Sequence, residues 1–127
     1  PNSLDGAQKE KFNSIYKKAS RQAEKLVSST AYKSLTDEDK RSAINYLYSS
    51  YFQASKSYVS GEDASSRAGK VLLSYNGNAD MGAVSAIIIK CRGKKKEKAL
   101  AIIARSNLTT SQKRLARQLL GYENSII

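Results

Sequence analysis

A chain of 127 residues, 40% of them hydrophobic and with a net charge of +11, is long enough for one folded domain and too short for two ordinary ones. It has no histidine and one cysteine, Cys91, which excludes imidazole acid–base catalysis, histidine-held metals and thiolate clusters. Apolar runs such as Ala86-Ile87-Ile88-Ile89 and the six residues from Ala99 to Ala104 fall far short of the roughly 20 residues that span a bilayer, so no membrane span is expected.

The only proline is Pro1, and Ala, Lys, Leu, Ile and Gln are plentiful, which favours helix. From Asp5 to Ser29, Phe12, Ile15, Tyr16, Ala19, Ala23, Leu26 and Val27 recur at steps of three and four, one apolar stripe of an amphipathic helix. Lys11, Lys17, Lys18, Arg21 and Lys25 fall mostly outside it. A break follows at Ser28-Ser29-Thr30, and Thr36 reads as the N-cap of a second helix, with Asp37, Glu38 and Asp39 where negative charge offsets the helix dipole. This helix is expected to run to about Ser60 and stop at Gly61, with Ile44, Leu47, Tyr48, Tyr51, Ser55, Tyr58 and Val59 inward. The two long helices should pack antiparallel, a hairpin over residues 1–61. Tyr46 lies about 200° from Ile44 and is the candidate surface tyrosine, open to stacking, to an interface or to solvent.

Residues 62–127 predict a compact set of shorter, basic helices. Glu62 to Ser74 carries Ala64, Ala68, Val71, Leu72 and Tyr75 at helical spacing and ends at Asn76-Gly77-Asn78. Val84, Ile87, Ile88 and Cys91 form another stripe before Gly93; β-branching argues for strand, but no other segment offers a strand to pair with, and helix is preferred. Cys91 on that stripe reads as a buried hydrophobe. Lys94 to Arg105 brings Ala99, Leu100 and Ile103 together, and the last helix starts at Thr109, whose partner Gln112 completes a capping-box pattern. It ends at Gly121 with Leu115, Leu119 and Leu120 inward. The fold class is therefore all-α, with about five or six helices. The phrases beginning Leu35-Thr36 and Leu108-Thr109 share a Lys-Arg pair at equal spacing, an echo that common capping needs explain.

No Gly-x-Ser-x-Gly elbow, P-loop or Gly-rich dinucleotide turn occurs, and the acidic residues are scattered singly or sit at a helix start. The chain reads as a binding protein and not an enzyme, with no cofactor, metal or small-molecule substrate expected. Charge between Lys9 and Arg21 stands where a signal peptide needs an apolar stretch. A start at Pro1 and an apolar end at Ile126-Ile127 suggest a segment of a larger protein.

The charge is uneven. From Lys90 to Ile127, ten Lys or Arg face two acids, a surplus of eight; the residues before hold twelve against nine, a surplus of three. Helical geometry puts Lys94, Lys98 and Arg105 within an arc of about 40°. Lys113, Arg114 and Arg117 cluster beside the apolar side of the last helix, and with Lys90, Arg92, Lys95 and Lys96 the set is a candidate continuous basic surface for phosphates. An acidic protein partner and plain solvation stay open beside that reading.

Two stretches carry a resemblance. Tyr32-Lys33-Ser34-Leu35-Thr36-Asp37-Glu38-Asp39-Lys40 through Ile44-Asn45-Tyr46-Leu47-Tyr48 is one; Lys98-Ala99-Leu100-Ala101-Ile102-Ile103, then Ser106-Asn107-Leu108-Thr109, Gln112-Lys113 and Gly121-Tyr122, is the other. In this order they resemble a helical region of large virion proteins of tailed bacteriophages, tape-measure and ejected internal proteins among them. The pattern departs at Ile102, where an aromatic is commoner, and in its heavier Lys and Arg content. The resemblance implies a segment held inside the capsid, portal or tail, with other virion proteins or the rest of its own chain as partners and packaged DNA as a further one. It carries over no catalytic residues. The alternative function is a free-standing basic nucleic-acid-binding protein.

Overall fold

The computed structural model describes residues 6–56 and 58–123, and the regular elements among them are all helices: α1 (Gly6–Ser28), α2 (Thr30–Lys33), α3 (Asp37–Ala54), α4 (Ala64–Ser74), α5 (Gly82–Cys91), α6 (Lys96–Arg105) and α7 (Thr110–Leu119). Pro1, Asp5 and the Ile126-Ile127 end lie outside the described residues. The seventh helix, beyond the expected count, is α2. Ser29 makes it: its hydroxyl donates to the Leu26 carbonyl closing α1 (2.7 Å) and accepts the Tyr32 N–H opening α2 (3.2 Å). Thr36 caps α3 as expected, accepting the Asp39 N–H at 3.1 Å.

The chain reverses between α1 and α3. Tyr16, twelve residues before the end of α1, stacks on Tyr48, eleven residues after the start of α3, at 5.5 Å between ring centroids, which is the register of an antiparallel hairpin. The buried face of α1 is narrower than the expected stripe. Ala19 and Leu26 are buried, with Ile15 and Ala23 packed beside them, whereas Tyr16 and Val27 are 44% and 42% exposed. They flank the line of contact with α3 and α5, and Tyr16 instead covers Phe12 and Tyr48.

The second helix stops earlier than its pattern predicts. It closes at Ala54, where the Ser55 hydroxyl donates back to the Phe52 carbonyl at 2.6 Å, the local bonding by which serine competes with helix. Beyond it Val59 is buried, but Tyr58, expected inward, is 77% exposed. Gly61 therefore caps nothing; Asp63 starts α4 by accepting the Ser66 N–H at 2.8 Å.

α5 departs furthest from expectation. It is a helix, as preferred, yet it is not amphipathic: Val84 through Ile89 and Cys91 are all buried, because α1, α2, α3, α6 and α7 each pack against it. Its first turn has no side-chain cap of its own. Gln22 of α1 supplies one, its Oε1 accepting the Gly82 N–H at 2.9 Å. The buried Ser85 hydroxyl is satisfied within the helix by the Met81 carbonyl. α4 and α7 end as the sequence indicated, α7 with the Tyr122 N–H donating to the Arg117 carbonyl at 2.8 Å around Gly121, whose φ of 81° suits glycine. The Thr109–Gln112 capping box is present in both directions. Among the described residues no helix is long and apolar enough to cross a membrane.

α3 and α4 approach closely over a small-residue seam of Ala54, Ala68 and Gly69. A Cβ on Gly69 would lie 2.6 Å from the Gln53 Cβ and 3.2 Å from the Ala54 nitrogen, so the helices would have to separate. Gly69→Ala should therefore lower stability by about 1–3 kcal/mol in urea unfolding, despite alanine's better helix propensity. A gain in stability would mean that the seam is looser than described.

Candidate anion-binding groove

The C-terminal end of α5 and the outer face of α6, with Asp39 of α3, build a concave surface. Lys90 ends α5, Arg92 caps it, and the chain turns through Gly93, at φ 77°, to Lys94 and Lys95 before α6 begins. α6 packs against both α5 and α7, with Ala99 and Ile103 buried, and the Cys91 Sγ donates to the Ala99 carbonyl at 3.6 Å. Cys91 is thus a packed side chain, and burial pushes its thiol pKa up, although Lys94 pulls the other way. With Ala99 and Ile103 inward, Lys98, Ala101, Ile102 and Arg105 turn outward onto a groove of about 960 Å³.

Five of the ten expected basic residues meet on that groove: Lys90, Arg92, Lys94, Lys98 and Arg105. Lys94 does so for a different reason than the helical arc suggested. α6 starts at Lys96, so Lys94 reaches the groove from the preceding turn. Two carboxylates, Asp39 and Glu97, also line it, and neither was among the candidate site residues. Asp39 pairs with Arg92 at 3.5 Å, with both side chains well exposed, a geometry worth at most about 1 kcal/mol. Lys90, Lys94, Lys98 and Arg105 make no ion pair among the described residues, so most of the positive field is uncompensated. An adjoining cavity of about 440 Å³, between α2 and the α6–α7 link, shares Lys90 and Arg105.

The other five sit elsewhere. Lys95 is exposed at the start of α6, and the Lys96 ammonium lies over the Tyr122 ring, 5.4 Å from its centroid. Lys113 donates to the Ala104 carbonyl at 2.9 Å, where a cation complements the end of α6. Arg114 and Arg117 both face Glu123, at 3.7 and 2.8 Å. The surface expected to run continuously across all ten is thus one concentrated groove plus a separate cluster near the end of α7.

Tyr46 requires correction. The 200° offset from Ile44 would leave it on the surface only if α3 were buried on one side, but α4 covers the opposite side and Tyr46 is 8% exposed. It belongs to the internal α3–α4 contact and is not a surface residue open to an outside partner. Its hydroxyl makes no hydrogen bond of ordinary length and angle, although the Ser50 side chain lies near it; the Ser50 hydroxyl, one turn on, donates to the Tyr46 carbonyl instead, at 2.6 Å. Tyr16, Phe52, Tyr58 and Tyr75 are the exposed aromatics among the described residues, Phe52 with the Lys56 ammonium 5.2 Å above its ring.

No match emerges from comparison with protein-family models, with curated proteins or with solved structures. The groove must be read from its own chemistry.

Burial raises the pKa of both the Tyr46 and Tyr51 phenols far above the ordinary value of about 10, with Asp80 adding to the shift at Tyr51. A pKa raised on folding contributes stability that is whole below the unfolded value and lost as pH climbs beyond it. Unfolding free energy should therefore fall above about pH 10, and Tyr46→Phe should flatten that fall. At neutral pH the same variant should gain about 1 kcal/mol, since it deletes an unpartnered hydroxyl. Chemical denaturation across pH measures both; a neutral-pH loss would show that the phenol is satisfied.

Proposed function

We propose that the chain is a non-enzymatic interaction segment of a phage virion or internal, ejected protein, and that it works by holding an anionic partner in the α5–α6 groove. The carrying observation is the convergence of Lys90, Arg92, Lys94, Lys98 and Arg105 on one concavity against only Asp39 and Glu97. Cations crowded on a concave, partly apolar wall focus their field and raise the local concentration of an opposite charge. The resemblance supports the setting: its first phrase runs from the end of α2 through much of α3 and includes Asp39, and its second runs through α6 and α7. Both phrases thus border the groove. Other virion proteins, the rest of the parent chain and packaged DNA are the partners this setting offers, inside a capsid, portal or tail.

The alternative, a free-standing basic nucleic-acid-binding protein, draws on the net charge of +11. Titration with poly-glutamate and with duplex DNA, each at two salt concentrations, tests the proposal. Binding of at least one polyanion should weaken as salt rises, and the double variant Lys98→Glu with Arg105→Glu should weaken it about tenfold or more. For DNA, the log–log salt slope should shrink by about 2, one for each lost cation. Salt-insensitive binding, or binding indifferent to the two reversals, would remove the groove from the function. Tight, sequence-selective duplex binding would favour the alternative.

A further inference from the structure

Charge is only half of the groove's chemistry. Ile87, Ile89, Ala101 and Ile102 line it beside the cations, Ala101 and Ile102 with the more exposed surface, and no aromatic ring lines it. We infer that the partner is an acidic, amphipathic helical segment of another protein, laying carboxylates on Lys98 and Arg105 and an apolar side chain against Ile102 between them. This rests on the anionic-partner reading above and names that partner's class.

Three features favour such a segment over a nucleic acid. A phosphodiester strand gains nothing from apolar side chains in the lining, and single-strand binding relies on aromatic faces that accept bases, which this groove lacks. Base reading in a duplex needs a helix or ribbon that protrudes into the major groove, whereas this surface is concave. Asp39 and Glu97 would repel a line of phosphates, but a polypeptide brings N–H donors and basic side chains that carboxylates accept.

The spacing along α6 suits a helix. Lys98 and Arg105 are seven residues apart, which is two turns, or about 10.5 Å along the axis. A partner helix repeats its own side chains at that interval, so carboxylates at i and i+7 meet both cations while apolar residues at i+3 and i+4 point between them. Ala101 occupies the middle of that interval, and its small side chain allows the close approach that packed helices need. Ile102 is half-buried and so presents part of its surface to the groove. Ion pairs formed beside such an apolar contact lose water together with it, which strengthens both.

The test is fluorescence anisotropy on the whole chain. The probe is a labelled synthetic helix of about 20 residues, long enough to form turns, with Glu at i and i+7 and Leu at i+3 and i+4. A version with each Leu replaced by Ser, a duplex oligonucleotide and a single-stranded oligonucleotide are measured in parallel. The Leu-bearing peptide should bind about tenfold tighter than its Ser counterpart. Ile102→Ser should weaken the Leu-bearing peptide several-fold and leave oligonucleotide binding unchanged, and Lys98→Glu with Arg105→Glu should abolish peptide binding. If Ile102→Ser unfolds the chain by circular dichroism, Ala101→Gln reads the same contact by blocking close approach. Equal affinity for the two peptides overturns the amphipathic partner, as does tighter oligonucleotide binding with the apolar variants silent, while in either case an anion-binding groove survives. Absence of binding to every probe, or binding indifferent to the charge reversals, removes the groove reading itself.

Discussion

The architecture depends on one helix having no side to spare. α5 carries apolar or small residues around almost its whole circumference, so it cannot rest on a surface. It has to be enclosed, and five other helices supply the enclosure. Helix in this setting is a matter of hydrogen bonding as much as propensity. A buried β-branched segment must satisfy its backbone somewhere, and with no partner strand among the described residues the internal bonds of a helix are the available solution.

The basic groove follows from the same enclosure. Where α5 emerges from the core its sequence changes from isoleucine to Lys90, Arg92 and Lys94, and the turn at Gly93 folds α6 back along it. The buried faces of the two helices, Cys91 on one and Ala99 and Ile103 on the other, decide which side chains are left to form the concavity. Positive charge and an apolar lining are thus consequences of one packing arrangement, which is why a partner matching only the charge uses only part of the surface. Glu123 has the opposite effect at the far end of α7, where it draws Arg114 and Arg117 together and neutralises part of their field.

Much of this was legible in the sequence, and the limits have physical causes. Caps were read correctly at Thr36 and Thr109 because capping is local: a hydroxyl meets an N–H three residues away whatever the rest of the chain does. The helix ends at Asn76 and Gly121 followed for the same reason. Burial was harder to read, since it depends on neighbours distant in sequence. Tyr46 and Tyr58 exchanged places relative to expectation because periodicity reports one face of a helix, whereas α3 is covered on two faces and stops at Ala54. The groove was half-visible: the residue types and their clustering after Lys90 were plain, but their division between the groove and Glu123, and the presence of Asp39 beside Arg92, required the fold.

The bond from Gln22 to Gly82 has a bearing on how the chain can be assembled. The opening turn of the central helix is closed by an amide sixty positions upstream, so that helix is complete only in the presence of α1. During synthesis the acceptor, Gln22, is made before the segment whose N–H it receives. Cutting the molecule between the hairpin and the shorter helices would orphan a buried donor on one side and its acceptor on the other. The two halves therefore share one hydrophobic core.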